Sequence, residues 1–326
     1  MSEMADHQPV MVEEIVDLIR PVPAGTVVDA TVGMGGHARA LLSDLGHVRL
    51  VGIDQDADAL AMAAEALAGF GERAVLRQAR FDRITEVIDE MAPTPQRGGI
   101  VAVLFDLGVS SPQLDRPERG FSYRADGPLD MRMDQRSTAT AAHVVNTYDE
   151  GRLADVIARF GDERYARRVA RAIVASRPIG GTAQLAEVVR DAIPAPARRR
   201  GGHPARRTFQ ALRIEVNDEL AVLRPALEQA IEALVPRGRV VVLAYHSGED
   251  RIVKDVLRDA STGGCTCPPR LPCVCGAQPR VRLLNRGARK PGPAEVARNP
   301  RSESARLRAA EKLEPNSATP GPETAA

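Results

Sequence analysis

The stretch VVDATVGMGGHARALL, residues 27–42, decides the fold. An apolar run closes on Asp29, the chain turns through Gly33-Met34-Gly35-Gly36-His37, and Ala38-Arg39-Ala40-Leu41-Leu42 has the composition of a helix. A strand that passes through a glycine turn into a helix presents backbone N–H groups at the helix start, which is where α/β sheets meet a nucleotide. The rhythm continues outward. VRLVGID at 48–54, AVLRQA at 74–79 and IVAVLFD at 100–106 are further apolar runs separated by helix-period text, the pattern of a parallel α/β sheet.

Gly33-x-Gly35-x-x-Ala38 satisfies the dinucleotide fingerprint, and Asp54 closes the next strand as a ribose partner. Asp29 beside the turn and Asp106 at the end of the fourth run argue against a pyrophosphate, which both would repel. Three carboxylates around one crevice suit the ammonium and sulfonium of S-adenosylmethionine, although Asp also commonly caps turns. In that reading Asp54 holds the ribose hydroxyls, and Gly35 and Gly36 let the backbone approach the methionine part. Phe81 either covers the adenine or packs in the core.

The strand rhythm stops at Ser111. From there to Arg213 the text is loop-like or helical (RLADVIARF, RYARRVARAIVAS, TAQLAEVVRDAI), after which VNDELAVLRPALEQAIEALV at 216–235 predicts one amphipathic helix leading through Pro236-Arg237-Gly238 into the strand RVVVLAY at 239–245. The economical organisation is one α/β domain, residues 1–111 and 214–312, interrupted by a loop and helical insertion at 112–213. LEPNSATPGPETAA at 313–326 reads as a disordered tail.

The net charge of +1 conceals a segregation: residues 1–150 carry 13 basic and 24 acidic side chains, 151–213 carry 14 and 5, and 251–310 carry 13 and 4. Two basic blocks on an acidic chain suit a polyanion-binding enzyme, while solvated helix faces would give the same count. Arg198-Arg199-Arg200, Arg206 and Arg207 are the candidates for phosphate contact. Aromatic residues are 3% and Trp is absent, which argues against a stacking platform for single-stranded RNA. No apolar run reaches the roughly 18 residues of a membrane span, and the acidic opening lacks a signal-peptide core. A cytoplasmic protein without membrane partners is expected.

Several stretches together resemble the RsmH (MraW) family of small-subunit ribosomal RNA methyltransferases: HQPVMVEE at 7–14, DATVGMGGH at 29–37, DLGVSSPQLD at 106–115, RGFSYRADGPLDMRMD at 119–134, RRTFQALRIEVNDEL at 206–220, YHSGEDRIVK at 245–254 and NPRSESARLRAAEK at 299–312. The resemblance implies a class I, Rossmann-like S-adenosylmethionine-dependent methyltransferase with an inserted helical domain. It implies methylation of the exocyclic N4 of a decoding-centre cytosine in 16S rRNA, within the 30S subunit. It also implies cofactor contacts from Gly35, Gly36, His37, Asp54, Phe81, Asp106 and Gln113. Tyr245 and Gly248 stand where the family commonly has Phe and Leu, a difference expected to concern packing. Glu303 stands where a basic residue is common.

Amino-methyltransferases commonly place a polar-Pro-Pro-aromatic motif after the fourth strand, and this chain has Asp106-Leu107-Gly108-Val109-Ser110-Ser111 instead. Asp106, with the backbone carbonyls of Leu107 or Gly108, is therefore the expected acceptor for the amine hydrogens. RGFSYRADGPLDMRMD has the glycines of a mobile lid, with Phe121 and Tyr123 as stacking candidates for an extruded base. Asp130 and Arg132 either meet substrate or form a surface ion pair. His246, Asn217 and Glu219 are each either structural or substrate contacts. The four cysteines, Cys265, Cys267, Cys273 and Cys275, all lie in CTCPPRLPCVC, where C-x-C, a gap and C-x-C leaves two readings, a tetrahedral zinc site or thiols in a substrate-side loop. The sequence leaves open a homodimer.

Overall fold

Each of the first four apolar runs forms a strand in the computed structural model, which describes residues 9–91, 99–198, 202–268 and 274–314. The strands are β1 (Gly25–Asp29), β2 (Val48–Asp54), β3 (Ala74–Gln78), β4 (Ile100–Asp106), β5 (Leu234–Ala244), β6 (Val281–Leu283) and β7 (Arg306–Lys312). They make a seven-stranded sheet in the order β3-β2-β1-β4-β5-β7-β6. Pairings from β3 across to β5 are parallel, and β7 and β6 add antiparallel. Both faces of the parallel part are covered, so alternation is replaced by continuous apolar text. Val27, Leu50, Ala102 and Leu104 face one apolar cluster, while Val28, Val51, Val103 and Phe105 face the other.

The helices follow from this division. The first cluster takes residues from α1 (Val12–Ile19), α2 (Gly36–Asp44) and α3 (Ala57–Leu67). α4 (Ile84–Met91) serves the second. After the short α5 (Ser111–Asp115), the helices α6 (Ala141–Thr147), α7 (Glu150–Gly161), α8 (Ala166–Ala175), α9 (Thr182–Ala192), α10 (Ala195–Arg198) and α11 (Arg206–Asn217) follow without a named strand among the described residues. Most of them close on a third apolar cluster, drawn from residues 121–216. α12 (Glu219–Ala233) and α13 (Ser247–Thr262) return to the second cluster, and α14 (Pro293–Arg298) precedes β7.

Three expectations change. The helix predicted over 216–235 is two helices, because Asp218 adopts a left-handed conformation (φ 54°) between α11 and α12. β5 begins earlier than expected, pairing Leu234 with Ile100 and resuming at Arg239 opposite Ala102, so that residues 235–238 loop out. β6 and β7 were not anticipated, because RLRAAEK reads as polar. Its charges are cancelled by neighbours: Glu311 lies directly opposite Arg239 in the register and binds it at 2.8 and 3.0 Å, and Arg308 is bidentate to Asp250. The proposed tail beyond Glu314, together with Arg199, Arg200, Cys273 and His7-Gln8, lies outside the described residues.

At the α11–α12 junction Arg213 is bidentate to Glu219 at 2.8 and 2.7 Å, with both side chains largely buried. Burial pushes the Glu219 carboxyl up and Arg213 pulls it back. Removing one member of such a pair leaves an uncompensated interior charge. Arg213→Met is expected to lower unfolding stability by about 3–5 kcal/mol, measured by urea denaturation. Adding Glu219→Leu should recover most of that loss, and an equal loss in the double variant would refute the pairing energetics.

Candidate active site

The strand order reverses between β1 and β4, and ligands of open α/β sheets bind at such a switch point, beyond the carboxyl ends of the strands. Three of those ends carry carboxylates: Asp29 on β1, Asp54 on β2 and Asp106 on β4. Asp29 is only 1% exposed and accepts from the Thr31 N–H at 3.3 Å. Burial, reinforced by the neighbouring Asp106 and Asp54 charges, pushes its pKa up to about 8. The sequence reading of Asp29 as a charged wall of the crevice is thereby corrected, since in the ligand-free protein it holds a proton at neutral pH. Asp54 is half-buried, accepts from the Gly33 and Asp56 N–H groups at 2.9 Å each, and is raised by burial to about 6.

Asp106 is partly accessible, its side chain 27% exposed. Its backbone N–H donates to Thr31 Oγ1 at 2.6 Å. The Tyr245 hydroxyl donates to its Oδ1 at 2.8 Å, and His37 Nδ1 lies 3.4 Å from Oδ2. His37 is buried, and its Nε2 is 2.9 Å from the Val10 carbonyl, which can only accept, so Nε2 carries a hydrogen. Burial and the adjacent Asp106 charge hold the Tyr245 phenol well above its ordinary pKa, so it remains a donor. Tyr245 is therefore more than packing, which corrects the sequence reading.

The glycine turn is fixed by packing within the chain. Gly35 has φ 82° at the N-cap of α2, and a Cβ on Gly36 would stand 2.3 Å from Pro9 Cγ. The amino-terminal segment thus packs directly on the turn. Phe81 stands partly buried at the start of a 3₁₀ turn, edge-on to Phe105 at 6.0 Å, with its ring against the second cluster. Gln113 is buried and engaged at both ends of its amide, accepting from Ser110 N–H at 3.0 Å and donating to Asp56 Oδ2 at 2.8 Å. Arg119 shares that Asp56 oxygen at 2.8 Å and also donates to the carbonyl of Arg132. Half-exposed carboxylates and a buried acid with a removable proton together suit a cationic nucleoside.

The expected substrate residues are placed differently. Phe121 is 5% exposed within the third apolar cluster, so it offers no face to a base. Tyr123 already stacks on His203 with centroids 4.4 Å apart and meets Phe209 edge-on. Asp130 and Arg132 form the ion pair of the alternative reading, bidentate at 2.8 Å, which holds the Asp130 carboxyl below its usual range despite the opposing effect of burial. The loop expected as a lid is a packed wall. Leu129, Met131 and Met133 are buried, and Asn217 clamps the segment by donating to Met131 O and accepting from Met133 N, each at 2.8 Å.

Arg206 and Arg207 are exposed at the start of α11, and Arg207 donates to the Asp162 carbonyl at 3.0 Å. Arg198 is turned inward to the Ile193 carbonyl. His246 caps α13: its Nδ1 accepts from Gly248 N–H at 3.2 Å, and its Nε2 lies 3.2 Å from Glu249 Oε1, too poorly aligned for a hydrogen bond. Glu249 in turn accepts from the Tyr245 and His246 N–H groups, so it fixes the backbone that carries Tyr245. Cys265, Cys267 and Cys275 converge elsewhere, after α13.

Residues 4–313 match the model of the MraW methylase family. The chain belongs to this family. It is 53% identical over 313 residues to ribosomal RNA small subunit methyltransferase H of Acidothermus cellulolyticus, covering 94% of each chain. Against the proteins of the same name from Heliobacterium modesticaldum and Mycobacterium avium the identities are 47% and 51%, covering 94% and 96% of this chain and 98% and 83% of theirs.

Sequence reading singled out neither Thr31, Asp56, Arg119 nor the Tyr245 hydroxyl. Asp56 follows Asp54 in Asp54-Gln55-Asp56, and Arg119 opens a family stretch, but only tertiary contact shows that they pair. Two outcomes follow from the geometry. A ligand cation should drive protons off Asp29 and Asp54, so affinity for S-adenosylmethionine is expected to rise between pH 6 and 8, by at most about tenfold per pH unit for each proton released. S-adenosylhomocysteine, which lacks the sulfonium charge, should show a shallower rise in calorimetric titrations; identical slopes would exclude a charge effect. Because the Asp29 pKa is raised by folding, the ligand-free fold loses stability as pH rises towards about 8, and Asp29→Asn should flatten that decline.

Tyr245→Phe removes one donor from a carboxylate without changing the ring. Asp106 then loses a stabiliser of its charged form, and the acid limb of the methyl-transfer pH profile should move up by about one unit. A limb that does not move would mean that Tyr245 only packs.

Proposed function

We propose that this chain transfers a methyl group from S-adenosylmethionine to the exocyclic N4 of a decoding-centre cytosine in 16S rRNA, acting on the 30S subunit in the cytoplasm. The observation that carries the reading is the near full-length family match, with relatives about half identical that are named for small-subunit ribosomal RNA methylation. The carboxylate crevice supports it chemically. Among the described residues no helix is long and apolar enough to cross a membrane.

When bound, S-adenosylmethionine supplies an electrophilic methyl group on a positively charged sulfur. Gly35 and Gly36 admit its methionine part, Asp54 receives the ribose hydroxyls, and Phe81 supplies an apolar face for the adenine. Asp29 contributes negative charge beneath the site once its proton leaves. Cytosine N4 is a weak nucleophile because its lone pair is delocalised into the ring. Groups that accept its N–H hydrogens favour pyramidalisation and hold the lone pair in line with the methyl group.

Asp106 is placed for this work. The Tyr245 hydroxyl donates to one oxygen of its carboxylate, and an ionised carboxylate has roughly four acceptor sites. The carbonyls of Leu107 and Gly108 extend the acceptor edge. The proton that leaves N4 after transfer passes to Asp106 and then to solvent. Arg206 and Arg207, exposed on the insertion, contact phosphates.

The test is methyl transfer from labelled cofactor to small subunits from a strain lacking this gene, followed by nucleoside analysis. Label in N4-methylcytidine is expected, and its absence in the presence of cofactor binding would overturn the reading. Asp106→Asn should reduce the rate by about 10²-fold or more. Full activity in that variant would remove Asp106 from the mechanism and leave the methylation itself standing.

A further inference from the structure

Residues 263–268 and 274–280 lie between α13 and β6 as an excursion from the sheet domain, with the Arg280 N–H donating to the Ala260 carbonyl at 2.8 Å at its base. Within the excursion, residues 263–268 and 274–280 contribute nothing to the buried apolar clusters, and Val274 is 89% exposed. Burial of apolar surface therefore does not hold these described residues in place. Yet the Sγ atoms of Cys265, Cys267 and Cys275 all lie within 4.8 Å of one another.

The separations exclude a bonded pair and leave thiols in hydrogen-bond contact, spaced as metal ligands would be. Sulfurs joined in a disulfide are about 2.05 Å apart. Two thiolates each about 2.3 Å from a tetrahedral zinc ion lie roughly 3.8 Å from one another. Cys275 Sγ and Cys265 Sγ are 3.6 Å apart, close to the edge of a coordination tetrahedron and far from a bond. Soft thiolates select zinc over the hard divalent cations. The charge balance agrees: three thiolates around a divalent ion leave one negative charge, and it sits in a block where residues 251–310 carry 13 basic and 4 acidic side chains.

We propose that Cys265, Cys267 and Cys275 bind a structural zinc ion that holds this excursion together. Each thiol gives up its proton on coordination, and the metal stands where the apolar core is missing. The fourth coordination position belongs to a further donor. Cys273 lies outside the described residues, and the three described thiolates carry the assignment. The 16 residues of α13 separate the cysteines from Tyr245 and the crevice, so the ion's role is to give shape to a basic surface.

The full-length protein, purified under reducing conditions, is stripped with a chelator and reloaded with Co²⁺ as a spectroscopic stand-in. One equivalent per chain is expected, with the thiolate-to-cobalt charge-transfer band and the visible bands of tetrahedral coordination, displaced on adding Zn²⁺. Cys265→Ser and Cys267→Ser should each lose these bands and weaken metal binding at least tenfold, while binding of S-adenosylmethionine is retained. Metal bound with octahedral bands and no thiolate signature would overturn the assignment. So would full thiol titration with no metal retained, or a Cys265–Cys275 disulfide that persists under a cytosolic thiol poise.

Discussion

Three carboxylates crowd the carboxyl edge of one sheet, and much of the site is arranged around keeping them there. Parallel pairing brings the β1, β2 and β4 ends to one edge, so the charges of Asp29, Asp54 and Asp106 oppose one another there without a counter-charge. The protein resolves this residue by residue. Asp29, the deepest, keeps a proton; Asp54 is met by two backbone N–H groups; Asp106 is met by the Tyr245 hydroxyl. A site built this way is poised for a cation, because a bound positive charge supplies what the fold withholds.

The groups that hold these acids come from distant parts of the chain. Val10 orients His37, Pro9 closes on Gly36, and the Met11 N–H donates to Glu295 beyond β6, so the amino-terminal segment is tied to both ends of the sheet domain. From the other side, Arg119 and Gln113 converge on Asp56, two residues after the ribose candidate. The Arg119–Asp56 pair is buried, and such pairs add little net stability while fixing geometry strongly. Its placement just beneath the cofactor crevice is consistent with positioning as its main contribution.

Legibility in the sequence tracked how local the cause was. The parallel strands could be read because burial on both faces writes an uninterrupted apolar run, as in IVAVLFD. β7 could not, because Arg308 and Glu311 look like surface text until Asp250 and Arg239 are brought opposite them. Glycine turn and strand-end acids were legible as types, but not their protonation, since the Asp29 shift arises from burial that only the packed sheet creates. Phe121 and Tyr123 illustrate the converse error. Aromatic residues in a glycine-rich loop suggested exposed stacking surfaces, and the fold instead spent them on the core of the insertion and on His203. Tyr245 was read through its ring, whereas its hydroxyl makes the contact that matters.

The wall formed by residues 129–133 bears on how the site is closed. Asn217 binds this segment through both Met131 and Met133, Arg119 reaches the carbonyl of Arg132, and Leu129, Met131 and Met133 are packed inward. Opening such a segment would break several partly buried hydrogen bonds at about 1 kcal/mol net each and expose apolar surface as well. An enzyme whose loop is fixed in this way must exclude water by another route. Under the function proposed above, that route is the substrate's own surface, met by the exposed Arg206 and Arg207.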